Sequence, residues 1–202
     1  MYLPPHYQLK DQAKQLAFME AYPFATLISQ QDNRPVATHL PFTVDEREGQ
    51  VLLHSHLARA NLQWTQMIGQ EVLVIFQEPH AYISPSLYNK TMNVPTWNYV
   101  AVHVYGNVQL IEDPATVFPL LEKMIQAYEP AYQQQWAQLP QHYKEAMARG
   151  IVAFEVRATQ VQGKEKLSQN KSLEERQRIA EHLKQSAESP AVAISQFMES
   201  TF

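Results

Sequence analysis

Residues Phe24 to Ser55 read FATLISQQDNRPVATHLPFTVDEREGQVLLHS, and this stretch decides the fold. Apolar and β-branched residues run from Phe24 to Ser29, stop at the polar turn Gln31-Asp32-Asn33-Arg34, and resume from Pro35 to Val44. A second polar turn, Asp45-Glu46-Arg47-Glu48-Gly49, leads into Gln50 to Ser55. Connections of hairpin length join only antiparallel neighbours, so the stretch predicts an antiparallel meander. Upstream, Ala13, Leu16 and Ala17 fall at helical spacing and predict a helix from Lys10 to Ala21, stopped before Pro23. Downstream, Leu57 to Ile68 reads as a helix ended by Gly69, and Glu71 to Gln77 as a buried strand.

Pro79 to Trp97 is rich in Pro, Ser, Asn and Tyr and reads mostly as loop, with a brief strand at Ala81 to Ile83. A long strand follows from Asn98 to Ile111, with Gly106 as a bulge or a point of close approach. Asp113-Pro114 opens a helix through Tyr128, Pro130 to Arg149 continues as broken helix, and Ile151 to Gln162 is the last strand. Ser172-Leu173-Glu174-Glu175 is a capping box for a helix to Lys184, and Pro190 to Met198 suits a terminal helix. The sum is a mainly β fold with added helices: a six-stranded antiparallel barrel over residues 1–170 and a helical appendage over 171–202.

Composition narrows the chemistry. The chain has no cysteine, which removes disulfides, Cys-ligated metals and thiol nucleophiles together. No apolar run approaches the roughly 20 residues of a membrane-spanning helix, and the opening Met1-Tyr2-Leu3-Pro4-Pro5-His6 lacks a secretory pattern, so a cytoplasmic protein is expected. A net charge of −4 gives no general attraction to polyphosphate. The five glycines are too scattered for a dinucleotide fingerprint or a phosphate loop. Any bound phosphate must therefore be held by side chains and ordinary amides.

Three clusters carry candidate chemistry. In Val51 to Asn61 a strand runs into the expected helix and gathers His54, Ser55, His56, Arg59 and Asn61, where helix amides and a guanidinium suit an anion. The competing reading makes Arg59 a solvated helix residue and the histidines ordinary strand residues. His54 and His56 have the spacing of a metal pair but no third ligand, so no metal is expected. In Val94 to Tyr99, Trp97, Asn98 and Tyr99 offer flat apolar surface with polar tips, which suits a planar ligand or a subunit interface as well as plain core packing. In Gly163 to Ser172, Lys166, Gln169 and Asn170 could present a cation and amides to a cofactor, or form a solvated loop.

Thr38-His39-Leu40-Pro41, HSHLARAN at His54 to Asn61, PHAYISP at Pro79 to Pro85, VPTWNY at Val94 to Tyr99 and KLSQN at Lys166 to Asn170 resemble, in order, the PaiB family of FMN-binding proteins. The resemblance spans nearly the whole chain. It implies the FMN-binding split barrel, a homodimer, and cofactor sites between subunits. It also implies that Thr38, His39 and Leu40 border the isoalloxazine, and that His54, Ser55, Arg59 and Asn61 border the ribityl phosphate. Trp97, Asn98, Tyr99, Lys166, Gln169 and Asn170 would close the site from the other subunit. Leu62-Gln63-Trp64 departs from the family pattern, in which a proline commonly follows the Ala-Asn pair.

The family is named for a negative transcriptional regulator linked to sporulation and protease synthesis, so an FMN-binding regulator is the leading expectation. An FMN-dependent oxidoreductase or flavin reductase is the alternative, followed by a haem-binding or haem-degrading protein. No acid and base pair is assigned. The Ser172 to Met198 helices carry Lys171, Arg176, Arg178 and Lys184 against Glu174, Glu175, Glu181 and Glu188 and show no reading helix. Regulation is therefore expected through a protein partner or flavin state rather than strong direct DNA binding.

Overall fold

The computed structural model describes residues 1–202. The chain divides into two compact units: Met19–Phe76 with Val104–Val161, termed the barrel unit, and Met1–Phe18 with Gln77–His103 and Gln162–Phe202, termed the terminal unit. The strands are β1 (Gln8–Leu9), β2 (Phe24–Gln31), β3 (Arg34–Pro41), β4 (Thr43–Arg47), β5 (Gln50–Ala58), β6 (Glu71–Ile83), β7 (Thr96–Ile111) and β8 (Ile151–Lys166). The helices are α1 (Gln12–Ala21), α2 (Gln63–Gln66), α3 (Pro114–Tyr128), α4 (Tyr132–Gln138), α5 (Gln141–Ala148), α6 (Leu173–Lys184) and α7 (Ser189–Glu199). No helix is long and apolar enough to cross a membrane.

In the barrel unit the strand order is β3-β2-β6-β7-β8-β5-β4. The two hairpins that the sequence predicts form, β2 with β3 and β4 with β5, but they lie at opposite ends of the strand order and not in one continuous meander. The expected strand Pro35 to Val44 is two strands, because β3 pairs with β2 (Thr38 opposite Leu27) and β4 pairs with β5 (Thr43 opposite His54). Phe42 alone separates them. Its ring is 1% exposed and meets Phe76 at 5.9 Å and Phe154 at 6.1 Å, both edge to face. Burying such a ring contributes roughly 1.5–3 kcal/mol, enough to fix where the strand changes partner. The two ends of the sheet are thus joined by one residue, and the sheet must curl back on itself as a barrel with a seam between β3 and β5. Gly106 is a point of close approach: a Cβ there would lie 2.5 Å from the Arg157 carbonyl oxygen.

Two further expectations are corrected. Residues 57 and 58 continue β5, not a helix, because Leu57 pairs with Val152 and Ala58 with Ile151; helix forms only at α2. Cross-strand pairing overrides the helical spacing of Leu57 to Ile68. β6 also extends to Ile83, where Pro79, Ala81 and Ile83 are buried and His80 and Tyr82 are exposed, the alternation of a strand. Outside the sheet, Val117, Leu120 and Met124 of α3 pack with Ala153 of β8.

In the terminal unit β1 pairs with β8, Gln8 opposite Lys164. α6 starts at the expected capping box, Ser172 with Glu175, and packs through Ile179 and Leu183 in a hairpin with Ile194 and Met198 of α7.

Candidate functional site

The seam of the barrel unit is bridged by side chains where a ladder would otherwise run. β3 is an end strand, paired only with β2, and its other edge receives hydrogen bonds from residues 55 to 63. Ser55 Oγ donates to the Pro41 carbonyl at 2.7 Å, and Gln63 Nε2 donates to the Val36 carbonyl at 3.2 Å. Thr38 Oγ1 donates to Gln63 Oε1 at 2.5 Å and accepts from Asn61 Nδ2 at 3.0 Å, while Asn61 Oδ1 accepts the Gln63 backbone N–H at 3.1 Å. Thr38 and Asn61 are half-buried and Ser55 is fully buried. His39 is exposed, edge to face with Phe24 at 6.4 Å, and Leu40 beside it is half-buried.

Gln63 escaped the sequence reading. It is 3% exposed and also donates to Ser29 Oγ at 3.0 Å, so one amide ties β2, β3 and the turn after β5. The only signal for it was the departure at Leu62-Gln63-Trp64.

Arg59 follows β5 directly. Its Nε and Nη2 donate to the carbonyls of Arg149 and Ile151, each at 2.9 Å, and its backbone N–H donates to Gly150 at 2.8 Å. No helix begins there, so an anion at Arg59 would meet the rest of the guanidinium and not helix amides. His56 precedes it with Nδ1 buried and unpartnered, and burial lowers its pKa, so it offers a neutral ring.

His54 sits on the other face of β5 from Ser55. It is 6% exposed, with Nε2 2.9 Å from Glu155 Oε2 and Nδ1 3.4 Å from Asp45 Oδ2, the latter an ion-pair distance without hydrogen-bond geometry. Lys123 contacts Asp45, and Arg157 Nε donates to Glu155 Oε1 at 2.7 Å. Burial works to raise the Glu155 pKa, and the hydrogen bonds from Arg157 and His54 outweigh it and hold the carboxyl below its ordinary range.

In the terminal unit, Trp97 is 51% exposed and its ring meets His80 at 5.7 Å and Tyr82 at 5.8 Å. Asn98 is fully buried: Ser168 Oγ donates to its Oδ1 at 3.1 Å and its Nδ2 reaches Met198 Sδ at 3.5 Å. Ser168 holds a φ of +62°, which places the KLSQN turn. Lys166 Nζ donates to the Trp97 carbonyl at 2.8 Å and to Thr96 Oγ1, and burial, with Lys164 nearby, lowers its pKa. Lys164, which the sequence reading did not single out, is 7% exposed and stands 5.3 Å from the half-buried Tyr99 ring. Gln169 closes its own turn, donating to the Glu165 carbonyl at 2.7 Å and accepting from the Leu167 N–H at 2.8 Å, and Asn170 is exposed. The expected residues therefore form two sets, Thr38 to Asn61 in the barrel unit and Trp97 to Asn170 in the terminal unit.

Residues 1–160 match the family described as "Putative FMN-binding domain". The chain is 33% identical over 202 residues to the "Protease synthase and sporulation protein PAI 2" of Bacillus subtilis, covering 98% of this chain and 97% of that one. The chain belongs to the PaiB family of FMN-binding proteins.

An uncharacterised Saccharomyces cerevisiae protein is 33% identical over 138 residues, 56% of this chain and 80% of that one. Among solved structures, the flavocytochrome Anf3 of Azotobacter vinelandii superimposes with a TM-score of 0.62 at 20% identity, over 79% of this chain and 69% of that one. The FAD and haem binding protein of Mycobacterium smegmatis does so with a TM-score of 0.63 at 15% identity, over 79% and 73%. These likenesses show the split-barrel fold. FMN is the PaiB cofactor, and the seam suits it. The unpaired edge of β3 supplies backbone groups, Thr38, Asn61 and Gln63 supply neutral donors and acceptors, His56 Nδ1 is buried without a partner, and Arg59 keeps Nη1 for an anion.

Proposed function

We propose that the protein is an FMN-binding regulator of the PaiB kind that acts with little direct DNA affinity. The observation that carries this reading is the side-chain-bridged seam at Thr38, Asn61 and Gln63, in a chain that aligns with PAI 2 over nearly its whole length. FMN, when bound, supplies reversible electron transfer. The chain's own residues do the rest. Thr38, Leu40, Ser55 and Asn61 fix the edge against which a flavin ring is oriented, His39 flanks it, and Arg59 pairs with the phosphate. His54, engaged by Glu155 and Asp45, keeps β4, β5 and β8 in place beneath it.

The Trp97, Asn98, Tyr99, Lys166, Gln169 and Asn170 set is proposed to complete the site of a second copy in a cytoplasmic homodimer, as the resemblance implies. The 171–202 helices serve as an appendage rather than a reading head. Arg178 supports this, since Nε donates to the Leu87 carbonyl at 2.9 Å and Nη2 to Asn89 Oδ1 at 2.6 Å, which leaves it poorly placed for phosphate.

A mobility-shift titration against the protein's own upstream region, with and without FMN and with scrambled competitor, tests the regulatory half. Weak binding that is indifferent to sequence and lost as salt rises fits the proposal. Sequence-selective nanomolar binding refutes it.

A further inference from the structure

The connection from β6 to β7, Ser84 to Pro95, holds one short 3-10 turn at Pro85–Leu87 and has no ladder of its own, yet α6 and the turn before it fasten it along its length. Arg178 Nε donates to the Leu87 carbonyl at 2.9 Å and Nη2 to Asn89 Oδ1 at 2.6 Å. Glu175, the residue that closes the capping box of α6, accepts the Asn89 N–H on Oε1 at 2.9 Å. Lys171 Nζ donates to Asn93 Oδ1 at 2.8 Å and stands 3.9 Å from the centre of the Tyr88 ring, while Asn93 Nδ2 donates to the Lys90 carbonyl at 2.7 Å. All of these groups belong to the terminal unit.

What the polar contacts hold in place is apolar. Met92 and Val94 are 96% and 77% exposed, and Tyr82 and Trp97 are exposed on the strands that flank the loop. Lys90 is the one formally charged residue between Pro79 and Tyr99. Large apolar side chains on a charge-depleted surface mark the centre of a protein interface. Two copies of this chain carry −4 each, so they approach most easily through a face with almost no charge. A second copy is therefore the occupant that this hairpin suits.

We propose that α6 is a clamp: Arg178, Glu175 and Lys171 set the shape of the Ser84 to Pro95 loop so that Met92 and Val94, with the Trp97 that follows them, dock on a second copy of this chain. The inference rests on the homodimer reading above and adds to it the residues that prepare the surface. The three clamp residues are positioning residues that act through the loop. A loop ordered before association lowers the cost of docking.

The test is sedimentation equilibrium of the full chain, with trypsin cleavage after the exposed Lys90 as the measure of loop order. Arg178→Ala and Lys171→Met should each weaken the dimer about tenfold and speed that cleavage, with the helical circular dichroism of α6 and α7 retained. Met92→Asp, which leaves the clamp intact and puts a charge on the face, should weaken the dimer at least as much. Glu174→Gln removes only the 3.7 Å pair with Arg178 on α6 and should leave both readouts within about twofold. FMN affinity lost in Arg178→Ala should return at protein concentrations where that variant is again dimeric, a recovery that simple damage to the fold would not show. A wild-type dimer whose association is unchanged in either Arg178→Ala or Met92→Asp overturns this proposal and leaves the homodimer standing. A wild-type chain that sediments as a monomer with FMN bound overturns both.

Discussion

Asn61 Nδ2 donates to Thr38 Oγ1 at 3.0 Å, so the turn that leaves β5 is pinned to the unpaired edge of β3. The residues nearest the proposed flavin are thus held by a hydrogen bond that crosses the barrel seam, and an edge already ordered costs less to fix when a ligand binds.

Removing that bond should cost affinity before it costs the fold. Thr38→Val and Asn61→Ala each delete hydrogen bonds worth about 0.5–1.5 kcal/mol apiece, which corresponds to roughly threefold to tenfold weaker FMN binding. Fluorescence titration measures the first quantity and differential scanning calorimetry the stability. Affinities equal to wild type would place the flavin away from the seam.

Arg59 has one structural role, its hydrogen bonds to backbone carbonyls, and one proposed role, the phosphate contact, and its substitution can separate them. Arg59→Ala breaks the hydrogen bonds to Arg149 and Ile151, which lowers stability, and also removes the proposed phosphate partner. A charge-assisted contact is worth about 1.5–3 kcal/mol, so FMN should bind about tenfold or more weakly while riboflavin loses far less. Equal losses for the two ligands would reduce Arg59 to a latch between β5 and the α5 end.

Acid should destabilise the protein through two half-buried histidines. His56 and His103 each have Nδ1 buried without a partner, and burial holds both below the ordinary pKa of 6.5, the N-terminal amino group adding to the effect at His103. The unfolded chain therefore takes up protons as pH falls through that value while the folded chain resists, and stability drops with acid. Thermal unfolding should show Tm nearly constant from about pH 8 to 7 and falling below about pH 6.5, with a shallower fall in His103→Gln. A Tm that rises on acidification would contradict this. Glu155, held below its ordinary pKa of 4.5, adds its own loss only at lower pH.

The sequence made the β2-β3 and β4-β5 hairpins legible because their turns are marked by polar runs, though not their places at opposite ends of the sheet, and it made α6 legible because Ser172 and Glu175 form a local motif. It concealed what depends on distant partners. Leu57 and Ala58 look helical until Val152 and Ile151 arrive from about a hundred residues away to pair with them. Phe42 shows no turn chemistry, and the change of partner there follows from the Phe76 and Phe154 rings. The motifs named most of the polar residues, but Gln63 became visible only when the fold set its amide between Ser29, Val36 and Thr38.

The central claim is that the β3 seam holds FMN, and competition between flavins tests it most directly. Purified protein stripped of cofactor is titrated with FMN, then with FAD, each followed by flavin fluorescence and absorption. Saturation at one FMN per chain in the micromolar range or tighter, with FAD weaker and with the FMN affinity reduced in Thr38→Val, is the outcome expected. No FMN binding at micromolar concentration, or FAD binding much more tightly than FMN, would contradict the account.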